Sequence, residues 1–151
     1  PFNTYGPRQS ARAVIPTIIT QALAKDEIRL GSLTPQRDLT FVADTVDGFV
    51  RMAMHDAAIG QEVNIGADAT ISIGELAQKI LGIIGRDLPI VTDEQRMRPA
   101  GSEVLRLWAD NRKAAGLIGW RPQVSLDEGL SRTVEWIRVN LGRYRPGVYE
   151  V

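Results

Sequence analysis

The chain opens with PFNTYGPRQ (residues 1–9), the stretch that points most directly to its fold. It combines an amide at Asn3, a phenol at Tyr5, a turn at Gly6-Pro7 and a guanidinium at Arg8. Polar and turn-forming residues packed this closely are typical of a ligand-facing loop at the end of a strand. Such a strand needs neighbours to pair with. We therefore expect the chain to be the downstream part of a longer protein.

The composition is that of an ordinary globular domain. The 151 residues are enough for one domain with a buried core, and 18 basic residues balance 18 acidic ones. This balance predicts no general attraction to nucleic acid or to a membrane surface. No apolar run reaches the about 18 residues that a membrane-spanning helix needs. The absence of cysteine excludes disulfides and thiolate chemistry, and it fits a cytoplasmic protein.

The spacing of apolar residues predicts helices alternating with short strands. Helices are predicted over about 15–23, 46–54, 72–84, 110–118 and 125–141, and strands over 28–30, 39–42, 62–65 and 88–91. Residues 94–107 are expected to form a loop, and residues 143–151 a docking extension. The strands are short and scattered, which argues against a complete doubly wound sheet. The fold class is therefore predicted to be a small, mixed α/β lobe.

Local signals support several of these helix ends. Ser72 with Glu75, and Ser125 with Glu128, have the spacing of capping boxes. Asp110 is expected to cap the short helix near residue 112. Trp120 is expected to be structural and to fill the core beneath the last helix.

Motifs that carry chemistry are missing from the chain. There is no G-x-G-x-x-G for a dinucleotide, no tyrosine with a lysine four residues later, no P-loop and no G-x-S-x-G. The single histidine, His55, is expected to be solvated or structural, and a metal site is not expected. We therefore predict no catalytic, cofactor-binding or metal-binding residues, and no catalysis by the chain alone.

Polar residues instead gather in three clusters, and these predict a site for an anionic ligand. The clusters are Asn3, Tyr5 and Arg8; Arg37 and Asp38, followed by Asp44; and Arg96, Arg98, Ser102 and Glu103. If they converge on a diphosphate, each charge-assisted contact contributes roughly 1.5–3 kcal/mol. Glu103 would then accept from sugar or ribose hydroxyls. The alternative is a set of surface ion pairs, such as Arg37 with Asp38 or Asp44.

Many short pieces, in one order, resemble the second half of the extended short-chain dehydrogenases. The matching pieces are residues 2–9, 14–16, 31–32, 37–42, 44–46, 64–66, 71–73, 98–99, 109–114, 117–122 and 126–130. This group contains the NAD-dependent sugar-nucleotide epimerases and dehydratases. The resemblance implies that residues 1–151 are a C-terminal substrate-binding domain, with the N-terminal NAD-binding Rossmann part and most of its parallel sheet absent.

The resemblance also implies roles for particular residues. Asn3 donates to the nucleotide diphosphate, and Arg37 and Arg98 grip its phosphates. The remaining implied contacts are Ile28 and Leu30 beside the base, Glu103 near the ribose, and Tyr5 in the turn near the sugar. Ala13 stands where some epimerases carry a further amide, so one contact is missing or replaced there.

Residues 98–104 and 144–149 are most similar to sugar-nucleotide 4,6-dehydratases that act on UDP- or GDP-N-acetylglucosamine-type sugars. Such enzymes move a hydride from sugar C4 to NAD, lose water across C5 and C6, and return the hydride to C6. A 4-epimerase returns it to the opposite face of C4, and that activity remains an alternative, as does a ligand-free interaction module. The resemblance implies NAD in the parent enzyme but none bound here, a nucleotide diphosphate sugar as partner, and a homodimeric parent.

Overall fold

The computed structural model describes residues 1–97 and 103–146, in which helices alternate with short strands. The strands are β1 (Asn3–Tyr5), β2 (Ile28–Leu30), β3 (Gln36–Phe41), β4 (Thr70–Ser72), β5 (Ile90–Thr92) and β6 (Arg106–Leu107). The α-helices are α1 (Val14–Ala24), α2 (Val42–Met54), α3 (Ile73–Ile84), α4 (Arg112–Ile118) and α5 (Leu126–Val139). Short 3₁₀ turns occur at Asp56–Ala58, Glu94–Arg96 and Leu141–Arg143. The predicted mixed α/β class is confirmed.

β3 is the strand that organises the sheet. It pairs in parallel with β1 and β6 and antiparallel with β4. β2 and β5 form a separate parallel pair. The described sheet is small, because each strand other than β3 contributes only two or three residues. It is mixed, because β4 runs antiparallel to β3 while β1 and β6 run parallel to it.

The main core lies where α1, α3 and α5 pack together and where α5 covers β3. Ile18 of α1, Ile80 of α3 and Leu130 of α5 are each fully buried in it. These residues belong to the apolar stripes that predicted the three helices, so helical spacing and burial agree.

The capping box at the start of α3 forms as predicted. The Ser72 hydroxyl accepts from the Glu75 backbone N–H, and the Glu75 carboxylate accepts from the Ser72 N–H. At α5 only the first half of the predicted box is present. Ser125 accepts from the Glu128 N–H, but the Glu128 carboxylate accepts from Arg132 instead. α4 begins at Arg112, with Asn111 at the cap position, but Asn111 makes no side-chain cap bond. The Asp110 carboxylate instead accepts from the Arg112 backbone N–H at 3.1 Å, so Asp110 supplies the cap as predicted.

Two predictions for connecting segments are wrong. Residues 62–65 form no strand, and in this segment the backbone is held by one bond, from the Phe2 N–H to the Ile65 carbonyl at 2.9 Å. The alternating pattern arises instead because Ile65 fills a small core. The described part of 94–107 is not all loop, since it contains a 3₁₀ turn and β6.

Trp120 is buried, as predicted, but it does not lie beneath α5. It packs with Ile65, Ala114 and Ile118 in a second, smaller core on the side of α2 and α4. Its indole N–H donates to the Asp44 carbonyl of α2 at 3.0 Å. The left-handed Gly119 at the end of α4 turns the chain back, and this brings the indole to α2.

α2 has the predicted apolar stripe, but that stripe faces solvent. Val46, Phe49, Val50 and Met54 are 54%, 52%, 49% and 81% exposed, and we refer to these four residues as the α2 apolar face. The opposite side is buried through its small or polar residues, Asp44, Thr45 and Gly48. The helix is therefore anchored by its less apolar side.

One close approach fixes how α5 sits on β1 and β3. A Cβ on Gly129 would lie 2.1 Å from the Tyr5 hydroxyl oxygen and 2.9 Å from the Phe41 ring. We expect Gly129→Ala to destabilise the chain by about 1–3 kcal/mol, because the added methyl group overpacks this contact. Urea unfolding measures the change.

Gly82→Ala in α3 is the matched control. No atom lies within 4 Å of its added Cβ, so higher helix propensity should leave the stability unchanged or raise it by about 0.5–1 kcal/mol. Equal unfolding free energies for the two variants would contradict the packing described for Gly129.

Candidate functional site

A cavity of about 410 Å³ opens where the three strands β1, β2 and β3 meet the start of α1. This volume lies within the roughly 300–1,000 Å³ typical of small-ligand sites. The residues at its wall that carry the argument are Asn3, Arg12, Leu30, Arg37 and Arg96. Three of the predicted site residues, Asn3, Leu30 and Arg37, are therefore brought together.

The pairing of β1 with β3 explains why distant residues meet here. Asn3 lies opposite Leu39 in the parallel register. Arg37 precedes Leu39 by two residues, and residues two apart on a strand share a face. The amide from the beginning of the chain and the guanidinium 34 positions later thus reach the same cavity.

The Asn3 side chain ends in a donor that the protein does not use. Its amide nitrogen is shielded from solvent and has no hydrogen-bond partner in the described part of the chain. A buried polar group without a partner costs about 1–3 kcal/mol. Because Asn3 also lines the cavity, this N–H is a candidate donor to a bound acceptor.

Arg37 is held in place by three contacts. Its guanidinium donates to the carbonyls of Gln36 and Val104 at 2.9 and 2.7 Å. It also donates to the Glu103 carboxylate at 2.7 Å. Both partners of this ion pair are mostly buried, with side chains 16% and 17% exposed. The suggested pairing of Arg37 with Asp38 or Asp44 is therefore wrong, and two of its five N–H groups remain for a ligand.

Asp38 and Asp44 have structural roles instead. Asp38 is fully buried, and its carboxylate accepts from the backbone N–H groups of Ala67 and Ala109 at 2.7 and 3.2 Å. Asp44 accepts from the Val124 N–H at 3.0 Å. Both acids hold loops around β3, so they shape the cavity without facing it.

Arg96 reaches the cavity because the chain passes very close to Gly31. A Cβ on Gly31 would lie 2.3 Å from the Arg96 carbonyl oxygen, so only glycine allows this approach. The Arg96 guanidinium forms an ion pair with Asp93 at 3.2 Å. Arg37 and Arg96, which belong to two different predicted clusters, thus line one cavity, and each lies beside a carboxylate.

Arg12 lies at the same wall, and the sequence patterns did not single it out. Its side chain is exposed, and within the described residues its guanidinium has no hydrogen bond or ion pair. The adjoining start of α1 has no acidic residue in its first turn and no side-chain cap. The positive end of the helix dipole therefore adds to the field of Arg12. The signal available in the sequence was its position, directly before a predicted helix.

Other predicted residues lie elsewhere. Ile28 is fully buried in the core and does not line the cavity, whereas Leu30 does. Tyr5 is also buried, and its hydroxyl donates to the Leu126 carbonyl at 3.3 Å. Burial, followed by the carboxylates of Asp44 and Asp127, raises the pKa of the Tyr5 hydroxyl, which keeps it protonated as a donor. The contacts of Ile28 and Tyr5 with a ligand remain predictions.

Arg8 lines a different cavity, beside Trp136 and Tyr144. The Tyr144 hydroxyl donates to the Gln9 carbonyl at 3.1 Å, so this part of the tail docks near β1. Arg98 and Ser102 lie outside the described residues. Glu103 is connected to the site by its ion pair with Arg37.

Two other classes of site find no support within the described ranges. No group of three histidine, cysteine or acidic residues there is arranged to hold a metal ion. Nor does any helix in the same ranges have the length and apolar character needed to cross a bilayer. His55 is exposed at the end of α2, in agreement with its predicted solvated position.

Comparison with known proteins gives a consistent result. The family model described as GDP-mannose 4,6 dehydratase matches residues 1–133. The chain is 37% identical to a UDP-glucose 4-epimerase from Mycolicibacterium smegmatis, over 91% of this chain and 44% of that protein. It is 33% identical to UDP-glucuronic acid decarboxylase 1 from Xenopus tropicalis, over 93% of this chain and 32% of that protein.

A solved structure extends the likeness to the fold. The UDP-glucuronic acid 4-epimerase from Bacillus cereus, in complex with UDP-glucuronic acid and NAD, matches with a TM-score of 0.83 and 28% identity. The match covers 92% of this chain and 44% of that one. The chain thus spans less than half the length of the relatives that it matches.

The fold and these matches define a class, the NAD-dependent epimerases and dehydratases that act on sugar nucleotides. The chain belongs to this family, through the member family described as GDP-mannose 4,6 dehydratase. The predicted resemblance to the extended short-chain dehydrogenases is confirmed.

Proposed function

We propose that the chain is the nucleotide-sugar-binding part of a sugar-nucleotide 4,6-dehydratase, and that the cavity beside α1 holds the diphosphate. One observation carries this proposal. The unpartnered Asn3 amide and the Arg37 guanidinium, which keeps free N–H groups, line one cavity together. Donors that the protein leaves unused suit a ligand made of acceptors, and diphosphate oxygens are strong acceptors.

The contacts divide the cavity into two parts. Asn3 and Arg37 supply the donors for the phosphate oxygens, while Leu30 offers an apolar wall for the base. Arg98 is proposed to complete the phosphate contacts, as the resemblance implies. Glu103, proposed to accept from the ribose, also orients Arg37 through their ion pair. Fixed placement of this kind can lower a reaction barrier by roughly 7–11 kcal/mol when the reacting groups are correctly held.

NAD does not fit the residues of this chain. No glycine-rich strand-turn-helix is present to hold its pyrophosphate, and no tyrosine is followed by a lysine four residues later. In our proposal the cofactor and the catalytic residues belong to a part of a longer protein, and this chain binds and orients the substrate. Homodimerisation of the parent, proposed through helices of that other part, also rests on the resemblance.

The α2 apolar face fits the same proposal. Four apolar side chains about half or more exposed on one helix are unusual for a finished surface. The relatives are more than twice as long, and α2 adjoins β1. We propose that the other part of the longer protein packs on this face.

The binding site can be tested by calorimetry with UDP and GDP. We expect Arg37→Gln to weaken diphosphate binding tenfold or more, because a charge-assisted contact is worth roughly 1.5–3 kcal/mol. Arg138→Gln is the control, since Arg138 forms an exposed ion pair with Glu135 on α5. If the unaltered chain binds neither nucleotide, the proposed site is wrong.

The reaction is tested on the complete enzyme, supplied with NAD and UDP-N-acetylglucosamine or its GDP counterpart. A 4-keto-6-deoxy product, detected by mass spectrometry and NMR, is expected of a 4,6-dehydratase. The M. smegmatis relative favours the second candidate, a 4-epimerase, which would give the C4 epimer without loss of water. A uronic acid substrate that loses carbon dioxide would exclude both.

The α2 apolar face predicts self-association of the isolated chain. Replacing Phe49 and Val50 with Ser and Thr should reduce the sedimentation coefficient at high concentration. Stability should change little, because both side chains are already about half exposed. Val139→Thr is the control, a single exposed apolar residue on α5. A chain that stays monomeric at all concentrations contradicts the prediction.

A further inference from the structure

We infer that Arg12 binds the diphosphate directly and supplies the one positive charge that no acid pairs with among the described residues of the cavity, an inference that rests on the proposed function. Neither the sequence motifs nor the family resemblance assigned a role to this residue. Its position at the cavity wall, its lack of a partner and the pairing of the other two arginines lead to this assignment.

The charges within the cavity nearly cancel without Arg12. In the part of the chain that the structure describes, three charged residues line the cavity, and all are arginines. Arg37 is neutralised by Glu103 and Arg96 by Asp93, at 2.7 and 3.2 Å. Among these described residues one uncompensated charge therefore remains, and it belongs to Arg12.

The free-energy cost of binding a diphosphate differs between Arg37 and Arg12. To bind Arg37 fully it must share the guanidinium with a carboxylate that is itself mostly buried, and the two anions repel each other. Arg12 is exposed and gives up only water. Its charge also acts at a distance, since the screening length is about 8 Å at physiological ionic strength. Arg12 should thus attract the anion first and lose least when the anion binds.

The backbone around Arg12 is fixed although its side chain is free. Its N–H donates to the Ser10 hydroxyl at 3.3 Å. The Thr17 hydroxyl lies 3.0 Å from the Ala11 carbonyl and 2.9 Å from the Ala13 carbonyl, on either side of Arg12. The loop is thereby fastened to α1, so the backbone at Arg12 is held at the wall of the cavity.

The test is titration of the 151-residue chain with UDP, GDP and uridine at two salt concentrations. Arg12→Gln should weaken UDP and GDP binding about tenfold or more at low salt and flatten the salt dependence, because one phosphate-facing charge is lost. Uridine binding should not change. Arg12→Lys should recover part of the loss, since it keeps the charge without the planar fork.

Arg121→Gln is the matched control. Arg121 is exposed, its guanidinium has no partner among the described residues, and it lines none of the described cavities. It should bind UDP as the unaltered chain does. The thermal midpoint of the ligand-free chain should also be the same with Arg12→Gln, whereas a structural role would lower it.

The outcomes separate the inference from the proposed function. If the unaltered chain binds neither UDP nor GDP, the proposed function fails and the role of Arg12 fails with it. If Arg37→Gln weakens binding but Arg12→Gln binds normally, only the inference about Arg12 is overturned. Equal losses for UDP and uridine with Arg12→Gln would also overturn it, because the contact would then not be to phosphate.

Discussion

The site depends on the register of β1 against β3. Because Asn3 lies opposite Leu39, the amide faces the same cavity as Arg37. A shift of one residue would turn Arg37 and Leu39 to the opposite face. Asp38, between them, prevents this shift. Its buried carboxylate holds the N–H groups of two separate loops, and it would be left unpaired on the cavity side.

The same strand pair connects two cores of different kinds. On the α5 side, Tyr5 and Phe41 pack edge to face and leave room only for glycine at position 129. On the α2 side, the buried residues are one tryptophan, two isoleucines and two alanines: Trp120, Ile65, Ile118, Ala58 and Ala114. The second core is the smaller, and its helix exposes an apolar face. The chain is thus well packed beside α5 and exposes apolar side chains at α2, in keeping with the proposal that another domain packs there.

Local features of the fold were predictable, and long-range ones were not. The start of α3 follows from Ser72 and Glu75 because a capping box needs only neighbouring residues. Residues 62–65 have an alternating pattern, but no described strand pairs with them along their length. Whether a pairing strand lies nearby cannot be predicted from a local pattern. The convergence of Asn3 and Arg37 was a hypothesis drawn from the polar clusters, with surface ion pairs as the alternative, and Leu30 was expected beside them only from the family resemblance. The burial of Tyr5 depends on Gly129, 124 positions away, and periodicity does not report such a contact.

The abundance of arginine shows why a charge count does not identify a site. Fifteen of the 18 basic residues are arginines, yet eight of them form ion pairs with nearby acids in the described chain. Most of these pairs are exposed, and exposed pairs contribute little to stability. Nearby acids therefore neutralise part of the positive charge locally. Position, rather than number, decides which guanidinium has no acid beside it, and among the described residues that line the cavity beside α1 this is Arg12.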